Sequence, residues 1–149
     1  MSQEDGNTGR FDDGSDALIA AFIEVHTSLG PGLLESAYGA CLGRELELRG
    51  LRYDRQRPIR ISYKGFDVEC GYRLDLVVEN RFLVEIKAVE RLLPIHEAQV
   101  LTYLKLTSIP VGFLVNFNAR LLRDGLRRLV VRTPSNFPSC PLPVKNSPE

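Results

Sequence analysis

The pattern of apolar and polar positions divides the chain into short elements between two polar tails. Leu18, Ile19, Phe22, Ile23 and His26 recur at helical spacing, with Ser15 or Asp16 in place to cap the first turn. Leu29-Gly30-Pro31-Gly32 ends that helix. A second helix runs from Leu33 or Leu34 to about Arg49, with Tyr38, Leu42, Glu45 and Leu46 along it and Gly50 as its stop. Arg52 to Ile61 reads as extended chain and Ser62-Tyr63-Lys64-Gly65 as a turn. Two apolar runs, Leu74 to Val78 and Phe82 to Ile86, flank the polar Glu79-Asn80-Arg81 and predict a β-hairpin. Pro94 suits the first turn of a third helix, whose apolar stripe is expected at Ile95, Ala98, Leu101, Thr102 and Leu106. Val111 to Val115 predicts a buried strand, and Ala119 to Val131 a helical turn followed by an edge strand. The order helix, helix, three strands, helix, strand predicts an α/β domain with a mixed central sheet. Residues 16–132 are expected to form that domain. Residues 1–15, rich in Gly, Asp, Asn and Ser, and residues 133–149, carrying Pro134, Pro138, Pro141, Pro143 and Pro148, are expected to be disordered tails.

The hairpin carries the first sign of chemistry. A three-residue loop from Glu79 to Arg81 pairs Val78 with Phe82, Leu76 with Val84 and Leu74 with Ile86, so one face is wholly apolar. The same register sets Asp75 opposite Glu85 on the other face, with Lys87 further along it. Shifting the loop by one residue mixes charges into the apolar face, so the hydrophobic pattern selects the register that opposes the carboxylates. Opposed like charges destabilise a sheet. A hard divalent cation held by carboxylate oxygens relieves that repulsion.

Composition changes this picture little. The chain has 149 residues, 44% hydrophobic and 26% charged, which suits one domain with a sizeable core. Its formal net charge is zero, so the overall balance demands neither nucleic acid nor a membrane surface. Cys41, Cys70 and Cys140 are far apart and odd in number, which offers no disulfide framework and points to buried, inert thiols in a reducing cytoplasm. No apolar run approaches the roughly 18 residues of a membrane span, and the acidic N-terminus lacks a signal-peptide pattern.

Gly32-Leu33-Leu34-Glu35-Ser36-Ala37-Tyr38 resembles the signature of the GxxExxY protein family. The likeness runs from about Ile19 to Phe117 through Val25-His26, Tyr63-Lys64-Gly65, Leu92-Leu93-Pro94-Ile95-His96 and Asn116-Phe117. That family is similar to a branch of the PD-(D/E)XK nuclease-like superfamily. The resemblance implies a restriction-endonuclease-like αβββαβ core with the site at one end of the sheet. Its motif falls on Asp75 and Glu85-Ile86-Lys87, with Leu74 in place of the proline before the aspartate.

On that resemblance the expected activity is metal-dependent hydrolysis of phosphodiester bonds in nucleic acid, DNA or RNA. Asp75 and Glu85 are expected to supply carboxylate oxygens to Mg2+ or Mn2+, with the Ile86 carbonyl as a third ligand. Lys87 is expected to orient or activate the attacking water and to balance transition-state charge. Glu35, in the first turn of the second helix, is implied as an outer contact to metal or water, although the helix dipole alone also favours a carboxylate there. Gln99 on the third helix is implied to position substrate or water. Tyr38, His26 and His96 read as packing or hydrogen-bonded structural residues. The arginines between Arg44 and Arg60 and between Arg120 and Arg132 read as solvated faces or phosphate contacts. Cutting both strands of a duplex would call for two sites and hence a homodimer. A different class of function also fits: a catalytically silent module that keeps the nuclease fold and binds nucleic acid or a protein partner.

Overall fold

The structure, a computed structural model, describes residues 13–68 and 71–131. Two helices, α1 (Ser15–Leu29) and α2 (Glu35–Leu48), precede the edge strand β1 (Tyr53–Pro58) and a small separate hairpin, β2 (Ile61–Tyr63) with β3 (Phe66–Val68). The predicted hairpin follows as β4 (Arg73–Val78) and β5 (Phe82–Lys87). Then come α3 (Pro94–Thr107), β6 (Val111–Asn116), a single 3-10 turn over Leu122–Gly125, and β7 (Leu126–Val130). Five strands form one mixed sheet in the order β1-β4-β5-β6-β7. Only β5 and β6 are parallel, because α3 carries the chain across between them. From α2 to β6, leaving aside the β2–β3 hairpin, the succession is αβββαβ.

Both faces of the sheet are covered, which explains the near-continuous apolar runs of β5 and β6. Leu18, Phe22 and Val25 of α1 and Tyr38, Leu42 and Leu46 of α2 bury one face with Leu76, Val84, Ile86, Phe113 and Val115. On the other face, Val100 and Leu104 of α3 meet Val77, Leu83 and Leu114. The stripe expected on α3 is therefore displaced. Val100 and Leu104 are buried, whereas Ile95, Ala98, Thr102 and Leu106 are exposed. Apolar residues lie all round this helix, so spacing alone did not single out the face that meets the sheet. Ile23 of α1 likewise faces outward.

Gly112 lets α3 lie directly on β6. A methyl group there would come within 2.7 Å of Val100 Cγ1 and 3.3 Å of both Leu104 methyls. Gly112→Ala is expected to destabilise the fold by about 1–3 kcal/mol, the usual cost of overpacking a core. Urea unfolding measures this, and an unchanged midpoint would mean that the helix moves away freely.

The first helix begins one residue earlier than its sequence suggests. Gly14 at its cap is left-handed with φ 91°, and the Ser15 N–H donates to Asp13 Oδ1 at 3.0 Å. Cys41 is exposed, contrary to the expectation of a buried thiol, while Cys70 and Cys140 lie outside the described residues. Residues 1–12 and 132–149, where the tails are expected, lie outside them too. No helix among the described residues is long and apolar enough to cross a membrane.

Candidate active site

The β4–β5 ladder follows the register set by the apolar pattern: Val78 faces Phe82 and Leu76 faces Val84, across the loop of Glu79 to Arg81. The next pairs expected in that register, Asp75 with Glu85 and Leu74 with Ile86, do not form. Beyond Leu76 the two strands part, and the Asp75 carboxylate takes the place of a ladder bond, accepting from the Ile86 N–H at 2.7 Å. Leu74 turns to the α3 side and packs with Val77 and Ile59. On the opposite edge, β1 pairs Arg55 with Leu76 and Arg57 with Leu74, but Gln56 and Asp75 between them are not paired. The sheet thus opens on both sides of Asp75, while β5 stays paired with β6 as far as Lys87 and Asn116.

Into that opening the fold brings four charged side chains. Glu85 is 8% exposed, and strand alternation from Leu83 carries it, with Lys87, toward the α3 face. Lys87 Nζ lies 3.7 Å from Glu85 Oε2, an ion pair too long for a hydrogen bond. Glu85 Oε1 is buried, with no hydrogen-bond partner among the described residues. Glu35, the first residue of α2, accepts from the Ala88 N–H at 3.3 Å, just past the end of β5. A cavity of about 210 Å³ lies beside Asp75, lined by Glu35, Ser36, Gly39, Arg55, Gln56 and Ile86.

Burial sets the electrostatics. It pushes the Glu85 carboxyl up to about 8, reinforced by the charge on Asp75 and, more weakly, Glu35, with Lys87 pulling the other way. Asp75 is also raised, first by burial and then by Glu35, against the Ile86 N–H and the cations of Lys87 and Arg55. Two carboxyl groups held above their ordinary range beside a lysine are a common arrangement in catalytic sites.

The loops around the site are tied together by side chains. Tyr38 is fully buried and stacks on Phe117 at 4.7 Å. Its hydroxyl donates to the Gly30 carbonyl at 2.5 Å and accepts from the Leu33 N–H, fixing the turn that delivers Glu35. Asn116 accepts from the Val89 N–H at 3.1 Å and donates back to its carbonyl, holding the segment after Lys87. Asn118 accepts from the Gly32 N–H, joining the same region to the α1–α2 turn. The histidines are structural: His26 Nε2 bonds the Ala119 carbonyl, and His96 Nδ1 accepts from the Leu93 N–H at the start of α3. Gln99 is half-buried on α3, with no hydrogen bond to Asp75, Glu85 or Lys87.

Asp75, Glu85, Ile86, Lys87 and Glu35 thus meet at one end of the sheet. Residues 12–129 match the family model described as the PD-(D/E)XK nuclease superfamily. The chain belongs to that superfamily. The match covers both helices before the sheet and its strands as far as Leu129 of β7, and the αβββαβ succession is in keeping with a restriction-endonuclease-like fold. No curated protein and no solved structure matches the chain.

Whether these residues suit a metal ion rests on their chemistry. Among the described residues, no three or more His, Cys, Asp and Glu side chains are grouped to hold a metal by themselves. Mg2+ asks for less, since it keeps several waters and takes one or two carboxylates. Asp75 spends Oδ2 on the Ile86 N–H, and Glu85 keeps Oε1 unsatisfied. A hard cation fits that donor set.

Proposed function

We propose that this protein is a divalent-metal-dependent nuclease that hydrolyses phosphodiester bonds in nucleic acid. The observation that carries this reading is the buried, unpartnered Glu85 Oε1 beside Asp75 and Lys87 in the opened sheet. A buried carboxylate oxygen without a partner is costly, and the cost is offset when a cation binds it.

Asp75 and Glu85 would hold Mg2+ or Mn2+. A strand residue points its N–H and carbonyl to the same edge, so the Ile86 carbonyl faces the same opening as its N–H. That orientation supports Ile86 as the third oxygen donor. When bound, the ion supplies Lewis-acid polarisation of the phosphoryl group and lowers the pKa of water. Lys87 donates to the phosphoryl oxygens and stabilises the negative charge that grows on them. Glu35, exposed at the cavity and bonded to the Ala88 N–H, accepts from and orients the attacking water. Gln99 lies on the helix that covers the face to which Glu85 and Lys87 alternate, and its amide would contact the substrate or water from that side.

The residues gathered here all come from one chain, so the reading is of one site per chain. One observation favours the silent binding module instead: Lys87 and Glu85 already form an internal ion pair. Incubation of the purified protein with labelled single- and double-stranded DNA and RNA, in Mg2+ or Mn2+, separates the two. Cleavage that stops with EDTA is expected. Binding without cleavage of any of the four substrates would establish the module.

A further inference from the structure

We infer that Arg55 and Gln56, adjacent on β1, form the wall of the site that grips a phosphate of the nucleic-acid substrate. The inference takes the position of the substrate from the nuclease reading and adds the groups that hold it.

Adjacent residues of a regular strand point to opposite faces. Here both line the cavity beside Asp75. The reason is Gln56, a non-glycine residue at φ 56° inside a strand, where β1 and β4 lapse from their ladder opposite Asp75. Such left-handed residues are strained and persist where the surrounding structure enforces them, often at functional sites. The strain places a second side chain on a wall where alternation allows only one.

Arg55 differs from its neighbours. Arg52 pairs with Glu79, Arg57 with Asp54, and Arg60 with Asp67. Arg55 has no ion pair or hydrogen bond among the described residues, yet its charge is felt at Asp75. Its guanidinium lies against α2 at Gly39, where a methyl group would sit 3.3 Å from Nη2. A guanidinium is a planar fork that meets two phosphate oxygens at once. An arginine with no ion pair among the described residues, held against a glycine at the mouth of a carboxylate site, suits a phosphodiester substrate better than a neutral one. Gln56, with donor and acceptor on one amide, reaches the same group from the next position.

The test uses the whole protein and fluorescein-labelled single-stranded DNA and RNA oligonucleotides of mixed sequence. Binding is followed by anisotropy with Ca2+ in place of Mg2+, and cleavage is followed separately with Mg2+. Arg55→Ala is expected to weaken binding by about tenfold or more, the loss of one charge-assisted contact. The slope of log affinity against log salt should flatten by about one. Arg55→Lys should restore that slope but only part of the affinity. Gln56→Gly accepts the left-handed backbone without strain, so its thermal midpoint should hold or rise while KM for cleavage increases. The inference is overturned if both variants bind and cleave within about twofold of the native protein, or if the native protein binds neither oligonucleotide. Native cleavage with unchanged variants removes this inference alone. Arg55-dependent binding with no native cleavage removes the nuclease reading and leaves the phosphate grip standing.

Discussion

Replacing Lys87 with alanine is expected to abolish cleavage while leaving the metal-dependent gain in stability intact. The lysine carries charge into a site whose other members are carboxyl groups, and its side chain is only 17% exposed. Removing one preorganised group that stabilises transition-state charge costs about 10²–10³ in kcat. Loss of one partner of a buried ion pair usually also costs about 3–5 kcal/mol of stability, because the other charge is left stranded. That penalty should be small here. Glu85 sits at about 8 even with Lys87 present, and without the ammonium it rises further and stays neutral. The variant therefore keeps its fold and loses a cation that competes with metal for the carboxylates. Cleavage rates and the shift of the thermal midpoint with Mn2+ check both halves. Full kcat in Lys87→Ala would reduce the lysine to a structural partner of Glu85.

The geometry of the candidate site was partly legible because the hairpin states its own register. Val78, Phe82, Leu76 and Val84 can share a face in only one alignment, and that alignment brings Asp75 beside the Glu85-Ile86-Lys87 segment. What alternation did not reveal is the point where it stops. Leu74 looks like the next member of the Leu76 face, yet it packs on the opposite side because the strands part at Asp75. The same break hid Arg55 and Gln56. No residue type in that stretch announces a left-handed φ, since glutamine is not among those that adopt it readily. Arg55 also sat within a run of arginines that reads as a solvated face, and only coordinates reveal that three of its neighbours are neutralised. The α3 face failed for another reason. Ile95, Val100, Leu101, Leu104 and Leu106 surround that helix, and the side taken depends on the groove that Gly112 opens in β6.

Without metal, the native protein is expected to lose stability as pH rises from about 5 to 8. The sign follows from Glu85. Its carboxyl ordinarily titrates at 4.5, and the fold holds it near 8. Below 4.5 it is protonated both folded and unfolded, so its contribution to stability is fully present. As pH climbs, the unfolded chain ionises first and binds fewer protons than the native state, which favours unfolding until the native group also ionises. A shift of this size is worth on the order of 5 kcal/mol, a large share of a typical stability of about 5–15 kcal/mol. Asp75, raised for the same reason, adds in the same direction. Asp13, Glu47 and Glu79 are lowered, so their contribution is lost only at more acid pH and leaves this window clear. Glu85→Gln should flatten the profile, matching the native protein near pH 4.5 and exceeding it at pH 8. Metal should do the reverse work, because it binds the ionised pair and expels its protons. At 100 times its dissociation constant, Mn2+ adds about 2.7 kcal/mol to the native protein, and little to Glu85→Gln. Urea unfolding at pH 4.5, 6, 7 and 8, with and without Mn2+, measures all of this. A native stability that stays level or climbs between pH 5 and 8 in the absence of metal would show that Glu85 is ionised in the fold and satisfied by other means.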